Sequence, residues 1–586
     1  MCYNTGMQKL VKYLKNYKKE VIWGPVFKLI EAILELIVPL IMANIIDIGI
    51  KGEDSDYVWR MGALMIVLAA VGLTCALICQ FFAAKASQGF GTDLRNKLFA
   101  HINSLSYAEI DKLGTPSLVT RITNDVNQLQ VAVAMLIRLV IRAPFLVIGA
   151  TVMAMIIDLQ MSLIFIAAAA GIAVVLYLVM SRSVPFYNTI QKLLDRISLV
   201  TRENLSGARV IRAFSKQKKE RKRFEDTSNE QKDAAIRMGK ISALLNPLTY
   251  LIVNLGIVAI IWFGGGAVNT GHLEQGEIVA LVNYMTQILL ALIVVANLVI
   301  IFTRAAASAA RVNEVLDTHS VLSDAGNEEN IRKEHADAPK IEFERVSFQY
   351  GDNGGESALR DVSVRIYTGQ TIGVIGGTGS GKSTFVNLIP RFYDATRGKV
   401  FVDGTNVRDY TFSQLRKDVG IVPQRAVLFA GSIRDNMRWR DESATDGQII
   451  EALKVAQAWE FVKKLPQQLD TQILQGGQNL SGGQKQRLTI ARALVGDPQI
   501  LILDDSASAL DFATDAALRK AIRQFGKGIT VIMVSQRATT VKNADKIIVF
   551  DEGEVAGIGT HDELFETNDV YREICLSQLE RSEVVG

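Results

Sequence analysis

The segment TIGVIGGTGSGKST, residues 371 to 384, fits the spacing GxxxxGK[ST] from Gly376 to Ser383, with an apolar strand-like run before it and the helix-forming FVNLI after it. Strand, glycine-rich loop and helix in that order form a P-loop. Gly376, Gly377, Gly379 and Gly381, with Thr378 and Ser380 among them, let backbone amides crowd around phosphate oxygens free of Cβ interference. The helix that follows, through Thr384, aims the positive end of its dipole at the same oxygens. In such a loop Lys382 neutralises β/γ-phosphate charge and Ser383 offers a hydroxyl to Mg²⁺. A second apolar run, Ile500 to Leu503, delivers Asp504 to that metal and completes a phosphate and magnesium site for a nucleoside triphosphate.

Upstream of Asp504 stands LSGGQ, Leu480 to Gln484, followed by KQRLTIARAL. Ser481, Gly482, Gly483 and Gln484 make another nest of small residues at a helix N-terminus, suited to γ-phosphate but placed where it cannot reach this chain's own P-loop. It must complete the site of a second subunit. The pentapeptide, lying between the P-loop and the aspartate strand, is similar to the identifying motif of ABC ATPases. Several further positions follow that family's pattern. Tyr350 sits where the family stacks adenine on an aromatic ring, Gln424 in IVPQ matches the Q-loop glutamine that reaches the metal and attacking water, and SALD at 508 to 511 matches the D-loop.

The elements that must carry this site begin with a concentration of apolar residues. Of 586 residues 49% are hydrophobic and 21% charged, too apolar for an ordinary soluble enzyme, and the excess lies in the first 305. Six runs approach the 20 or so apolar residues a spanning helix needs: 21 to 50, 61 to 84, 135 to 157, 162 to 180, 248 to 268, and 278 to 302. Long polar connections, 85 to 134 and 181 to 247, separate the second span from the third and the fourth from the fifth. The basic run KQKKERKR, Lys216 to Arg223, lies in the second of these, whereas the short connections carry Glu53, Asp54, Asp56, Asp158, Glu274 and Glu277. The positive-inside rule therefore puts the long connections, both termini and everything after Phe302 in the cytoplasm of a multi-pass protein of the cell membrane.

Charged residues in or beside the spans, Lys28, Glu31, Glu35, Arg138, Arg142 and Arg304, are costly in lipid. Glu31 and Glu35 either line a cavity that meets a cationic substrate, or Glu31 pairs locally with Lys28; Arg138 and Arg142 read as snorkelling at the cytoplasmic end of the third span. The N-terminal lysines 9, 12, 15, 18 and 19, with no signal-peptide pattern, suggest an interfacial helix against anionic lipid. Cysteines 2, 75, 79 and 575 have no metal or redox spacing, and a net charge of +4 gives no argument for nucleic acid.

The stretches at 103 to 130 and 203 to 224 resemble the two intracellular loops of ABC exporters, each carrying a short coupling helix that docks on an ATPase domain, usually the other half's; by composition alone they read equally well as solvated charged extensions. From about residue 10 to 575 the order of elements resembles a half-size bacterial ABC exporter of the multidrug type. The resemblance implies an all-α transmembrane domain of six helices followed by an α/β P-loop ABC ATPase domain. The expected divisions are an interfacial helix at 1 to 20, a transmembrane domain at 21 to 310, a linker at 311 to 339 and the nucleotide-binding domain at 340 to 586. It further implies ATP and Mg²⁺ as cofactors and, as partners, a second half-transporter, the bilayer and an amphipathic small molecule.

Three positions depart from the family. The residue after Asp504 is normally Glu, which positions the attacking water, and here it is Asp505, shorter by one methylene. Misplacement of about 1 Å can cost on the order of 100-fold in rate. The switch histidine is replaced by Gln536, and none of the five histidines, at 101, 272, 319, 335 and 561, stands nearby in sequence. Before LSGGQ, Gln475 replaces a usual acidic residue. Binding motifs kept beside altered cleavage positions suggest the slow-site subunit of a heterodimeric exporter, with a homodimer slow at both sites as the alternative. Lipid flipping, peptide export and an ATP-gated or sensory membrane protein are the other functions the pattern allows.

Overall fold

The computed structural model describes residues 3–324, 338–351, 356–506, 509–525 and 528–578, so His335, most of the polar linker, Ser508 of SALD and the C-terminal tail lie outside the described residues. The chain divides into two compact units. One comprises 1–103 and 115–318; the other comprises 104–114 and 319–586.

In the first unit six helices are long and apolar enough to cross a membrane: Met7–Ile50, Ser55–Ser104, Thr115–Ile157, Leu159–Ser183, Gln217–Asn269 and Gln275–Asp317. Each contains one of the six apolar runs. The unbroken helix Ser55–Ser104 has 50 residues, about 75 Å at 1.5 Å per residue, more than twice the hydrocarbon thickness of about 30 Å. The polar connections are largely helical, broken at Leu105–Ser106 and Gly114 in the first and at Gly207 and 214–216 in the second, and the sixth helix runs through Asp317, past residue 311 where the sequence places the start of the linker. The bundle packs small residues and a few large anchors. Tyr284 is fully buried and donates its hydroxyl to the carbonyl of Leu36 at 2.6 Å. Gly276 donates its N–H to Asp47 at 2.7 Å, and a Cβ there would stand 2.3 Å from the carbonyl oxygen of Ala43, so this helix crossing accepts only glycine.

Four of the intramembrane charges are paired. Lys28 meets Glu31 at 2.6 Å, which is the local-pairing alternative, and Arg142 meets Glu35 at 2.6 Å. Arg142 therefore does not snorkel: a carboxylate within reach satisfies the guanidinium better than a stretch toward distant headgroups. Cys75 and Cys79 are buried in the bundle, as expected of helix packing. Where the spans leave the apolar region, Asp125 is buried and held by Arg311 Nε at 2.8 Å and Ser308 at 3.0 Å. Lys9, one of the N-terminal lysines expected to face lipid, is engaged by Asp317 at 2.6 Å.

The second unit contains two main sheets. A four-stranded antiparallel sheet has the order β2-β1-β4-β5, with β1 Ile341–Phe348, β2 Leu359–Ile366, β4 Arg397–Val402 and β5 Thr405–Asn406. The six-stranded sheet runs β12-β11-β3-β10-β9-β6, with β3 Thr371–Gly376, β6 Val419–Val422, β9 Ile500–Asp504, β10 Thr530–Val534, β11 Lys546–Asp551 and β12 Glu554–Gly559. The neighbours β11, β3, β10, β9 and β6 are parallel. Strands β3, β9 and β10 are buried at every position, as a parallel sheet covered on both faces requires. The remaining piece of this unit, the helix Tyr107–Leu113, comes from between two membrane helices and carries a capping box of Ser106 and Glu109.

Candidate functional site

Four adjacent parallel strands end on one edge of the sheet, and each end carries a piece of the site. From β3 springs the P-loop, from β9 Asp504 and Asp505, from β10 Ser535 and Gln536, and just past β6 comes Gln424. That edge, outside the carboxyl ends of parallel strands, is where open α/β sheets bind ligands. A cavity of about 330 Å³ lies there, lined by Tyr350, the loop from Thr378 to Thr384, Gln424, Asp504, Asp505 and Gln536. A cavity of about 360 Å³ elsewhere in the unit, under the helix Phe512–Phe525, contains none of the motif residues.

The loop geometry requires its glycines, but two of them stand apart from the cavity wall. Gly376 and Gly377, which the P-loop spacing assigns to the phosphate site, do not line the cavity. Gly376 is still the end of β3 and lies against β11: its φ is +158°, and a Cβ on it would sit 2.2 Å from the carbonyl oxygen of Phe550. Gly377 is exposed, and its carbonyl is turned inward, accepting from Lys382 Nζ at 2.5 Å and from the N–H of Ser380 at 3.3 Å. These two glycines therefore shape the loop and hold its lysine, and the lining begins at Thr378. The helix Lys382–Leu388 then starts at the cavity wall, its first-turn amides directed into the site.

Lys382 is 7% exposed and also donates to the carbonyl of Gly376 at 2.9 Å and to Ser380 Oγ at 3.3 Å. No carboxylate pairs with it among the described residues. Burial pushes its ammonium pKa down, with Asp504 and Asp505 opposing that shift, so the charge awaits an anion. Ser383 Oγ donates to Asp504 Oδ1 at 3.1 Å, and burial pushes the Asp504 carboxyl above its ordinary range, against the pull of that hydrogen bond. The donor set is hard oxygen from one carboxylate and one hydroxyl. Mg²⁺ is commonly held by such a pair together with substrate phosphates and waters, so the residues present fit the ion.

At the cleavage positions, Asp505 has φ +46° and is fixed by its N–H to the carbonyl of Val534 at 3.0 Å, while Gln424 Nε2 reaches its Oδ2 at 3.4 Å. Gln536 is exposed at the rim. Tyr350 is 49% exposed, meets Phe348 edge-on at 4.7 Å between centroids, and sets its hydroxyl 3.0 Å from Thr384 Oγ1. Ser481, Gly482, Gly483 and Gln484 do not line this cavity. They stand at the start of the helix Gly482–Leu494, where Ser481 and Gln484 form a capping box. Gln475 is exposed in a short turn beside them.

Several residues that border the site without lining it had no motif to announce them. Gln578, from the last described helix Asp569–Gln578, donates to the carbonyl of Gln536 at 2.8 Å and accepts from the N–H of Ala538 at 2.9 Å. Tyr393 closes the far side of Tyr350, their ring centroids 5.3 Å apart. The loop helix Tyr107–Leu113 packs on this chain's own ATPase domain through Tyr107 and Phe392, 4.8 Å between centroids.

The family model for the ABC transporter transmembrane region matches residues 21–293, and that for the ABC transporter ATPase matches 359–508. The chain is 37% identical over 575 residues to the uncharacterized ABC transporter ATP-binding protein YfiB of Bacillus subtilis, covering 98% of this chain and 99% of that one. The chain belongs to the ABC transporter family. Further relatives of this ABC transporter include the putative multidrug export protein YgaD of Bacillus subtilis, 32% identical with 97% and 98% of the two chains covered. The lipid A-core flippase of Hahella chejuensis is also 32% identical, over 84% of this chain and 83% of that one. In fold, the chain matches an ATP-bound bacterial Atm1-family exporter at a TM-score of 0.79, 23% identity, and 96% and 99% coverage. It is a half-size ABC exporter, a multi-pass membrane protein whose own ATPase domain drives transport.

Proposed function

We propose that this chain is the slow-hydrolysing half of a heterodimeric exporter. Its cavity binds Mg-ATP through Lys382, Ser383 and Asp504, Gln424 joins the metal shell, Tyr350 takes the adenine, and its LSGGQ serves the nucleotide site of a different half-transporter. The observation that carries this is the split composition of one cavity: the phosphate-gripping residues follow the family, whereas Asp505 and Gln536 on the same wall do not. Ser481 to Gln484 lie outside the cavity and need a second subunit to act on a phosphate. The helix Ala208–Ala213 of the second loop leaves Val210 and Phe214 exposed, and the ATPase domain leaves the stacked pair Phe429 and Trp439 exposed. In the proposed dimer each of these patches meets its complement on the other subunit, on the cytoplasmic side.

ATP binding draws the two ATPase domains together, the loops pass that closure to the spans, and hydrolysis at the partner's competent site resets the pair. The substrate is an amphipathic small molecule. Glu31 and Glu35 are neutralised by Lys28 and Arg142, so nothing in that cluster calls for a cation. Lipid flipping is a second reading, favoured by the relative named as a lipid A-core flippase. In the purified complex, changing the partner's Walker B Glu to Gln should abolish most turnover, whereas Asp505→Asn should cost little. Equal losses from the two changes would reject the asymmetric assignment and leave a dimer with equivalent sites. Vesicles loaded with a dye or with fluorescent phospholipid separate the two substrate classes by which of them moves against its gradient on ATP.

A further inference from the structure

A chain of aromatic rings leads out of the nucleotide cavity to a piece of polypeptide that belongs, by sequence, between two membrane helices. Tyr350 is anchored at one end by its hydroxyl on Thr384, within the P-loop helix Lys382–Leu388. Tyr393 follows that helix and sets its ring edge-on to Tyr350, at 85° with centroids 5.3 Å apart, which is a favoured aromatic geometry. On its other side Tyr393 meets Tyr107 at 6.3 Å and donates its hydroxyl to Asp111 at 3.2 Å. Phe392 adds a second contact to Tyr107, at 4.8 Å. Tyr107 and Asp111 both belong to the helix Tyr107–Leu113. This helix is continuous with the 50-residue helix Ser55–Ser104 through only two residues.

We infer that Tyr393 is a positioning residue through which an adenine ring on Tyr350 sets the placement of the helix Tyr107–Leu113, so that this loop senses the base of the nucleotide and not only its phosphates. The inference rests on Tyr350 being the adenine shelf. A base stacked on the exposed part of Tyr350 fixes that ring's plane. Tyr393, held edge-on to Tyr350 and by its hydroxyl to Asp111, passes the ring's position on without touching the nucleotide. The phosphates, by contrast, are read by the P-loop, Asp504 and Gln424, and among the described residues no hydrogen bond joins these to Tyr107 or Asp111.

The test uses the full-length complex in lipid nanodiscs, with Cys2→Ser and a bimane label on Lys112→Cys. Lys112 is exposed on the loop helix, and Cys75, Cys79 and Cys575 are buried. Mg-ATP should shift the label's emission, and Mg-tripolyphosphate, which has no base, should not. Tyr393→Leu should remove the shift at saturating ATP while changing affinity for a fluorescent ATP analogue by no more than about threefold; Tyr393→Phe, which keeps the ring, should restore about half of it. A full shift in Tyr393→Leu, or an equal shift with tripolyphosphate, overturns the inference. So does a loss of ATP affinity of about tenfold or more in Tyr393→Leu, which would make the residue a plain support of the cavity. Absence of ATP-analogue binding to the unmutated complex would instead reject the nucleotide reading of the cavity, and this inference with it.

Discussion

The residues proposed to grip phosphate and those proposed to position water leave the same parallel strands, but they are anchored very differently. Lys382 and Asp504 are each 7% exposed and interlocked with backbone carbonyls and Ser383. Gln424 and Gln536 are exposed on loops past the strand ends, and Asp505 is half-buried. A change on the gripping side disturbs buried polar groups that have no water to fall back on. On the cleaving side a change alters what faces the cavity and little else. The exposed side can therefore lose rate while the buried side keeps its affinity, which is the pattern of residue types this chain has.

The contrast breaks most visibly at Lys382. Lys382→Ala removes the only cation among the described residues that lines the cavity, and charge-assisted hydrogen bonds of this kind are worth about 1.5–3 kcal/mol each. ATP affinity should fall by at least about 100-fold in fluorescent-analogue titrations. A loss of less than about tenfold would mean that the amides of the loop hold the phosphates alone.

Asp504→Asn should separate binding from stability. A carboxylate whose pKa is raised by burial favours the fold only in its protonated form, and that contribution fades as pH rises through the raised pKa. Replacing it with a neutral amide should therefore raise the melting temperature of the nucleotide-free protein on the alkaline side of that titration, by about 2–4 °C for each kcal/mol of burial cost relieved. The same change should reduce the enhancement of ATP binding by Mg²⁺ by about 30-fold or more. An unchanged Mg²⁺ response would remove Asp504 from the metal shell.

On the exposed side the informative experiment is a gain. If the proposed slow site is right, Asp505→Glu with Gln536→His should raise this site's single-turnover rate by about 10- to 100-fold with ATP affinity unchanged, by restoring reach and proton acceptance. No gain would place the limit on hydrolysis elsewhere, in the LSGGQ that faces this site from the partner.

The same contrast governs what the sequence discloses. Buried, covalently local features are legible: the P-loop, Asp504 at the end of an apolar strand and the six spans are each written in a few consecutive residues, and each forms where those residues predict it. Even within the P-loop the division of labour is not written in the spacing, since Gly377 matches the pattern as well as Gly379 does, yet its carbonyl serves Lys382 while Gly379 lines the cavity. Pairings made across the fold carry no local signal at all. Arg142 lies 107 residues from Glu35, so its place near a span end reads as snorkelling although a carboxylate is within reach. Tyr107 and Asp111 sit in a polar loop, and only the fold reveals that they pack against Tyr393 and Phe392. The docking of this loop on its own chain's ATPase domain has the same origin, being a property of packing that residue types do not encode.

Gln578 is the sharpest case, and it yields the smallest and most discriminating prediction. It lies 42 residues from Gln536, in a helix tied down by buried Tyr571 and Cys575, and its amide bridges the carbonyl of Gln536 and the N–H of Ala538. Two neutral hydrogen bonds at a partly exposed site contribute about 0.5–1.5 kcal/mol each, too little for their loss to unfold the domain, but enough to let the Gln536 loop wander. Gln578→Ala should therefore lower single-turnover hydrolysis about threefold, leave ATP affinity within about 1.5-fold and reduce the melting temperature by about 2–12 °C. Gln578→Glu keeps the acceptor for Ala538 but sets a carboxylate against the Gln536 carbonyl, so it should be at least as slow as Gln578→Ala. If both variants hydrolyse at the unmutated rate, Gln536 needs no external support, and the looseness of the cleaving side resides in residue 505 alone. If affinity falls in step with rate, the two sides of the cavity are mechanically one, and the division between a buried grip and an exposed, altered cleavage wall is lost.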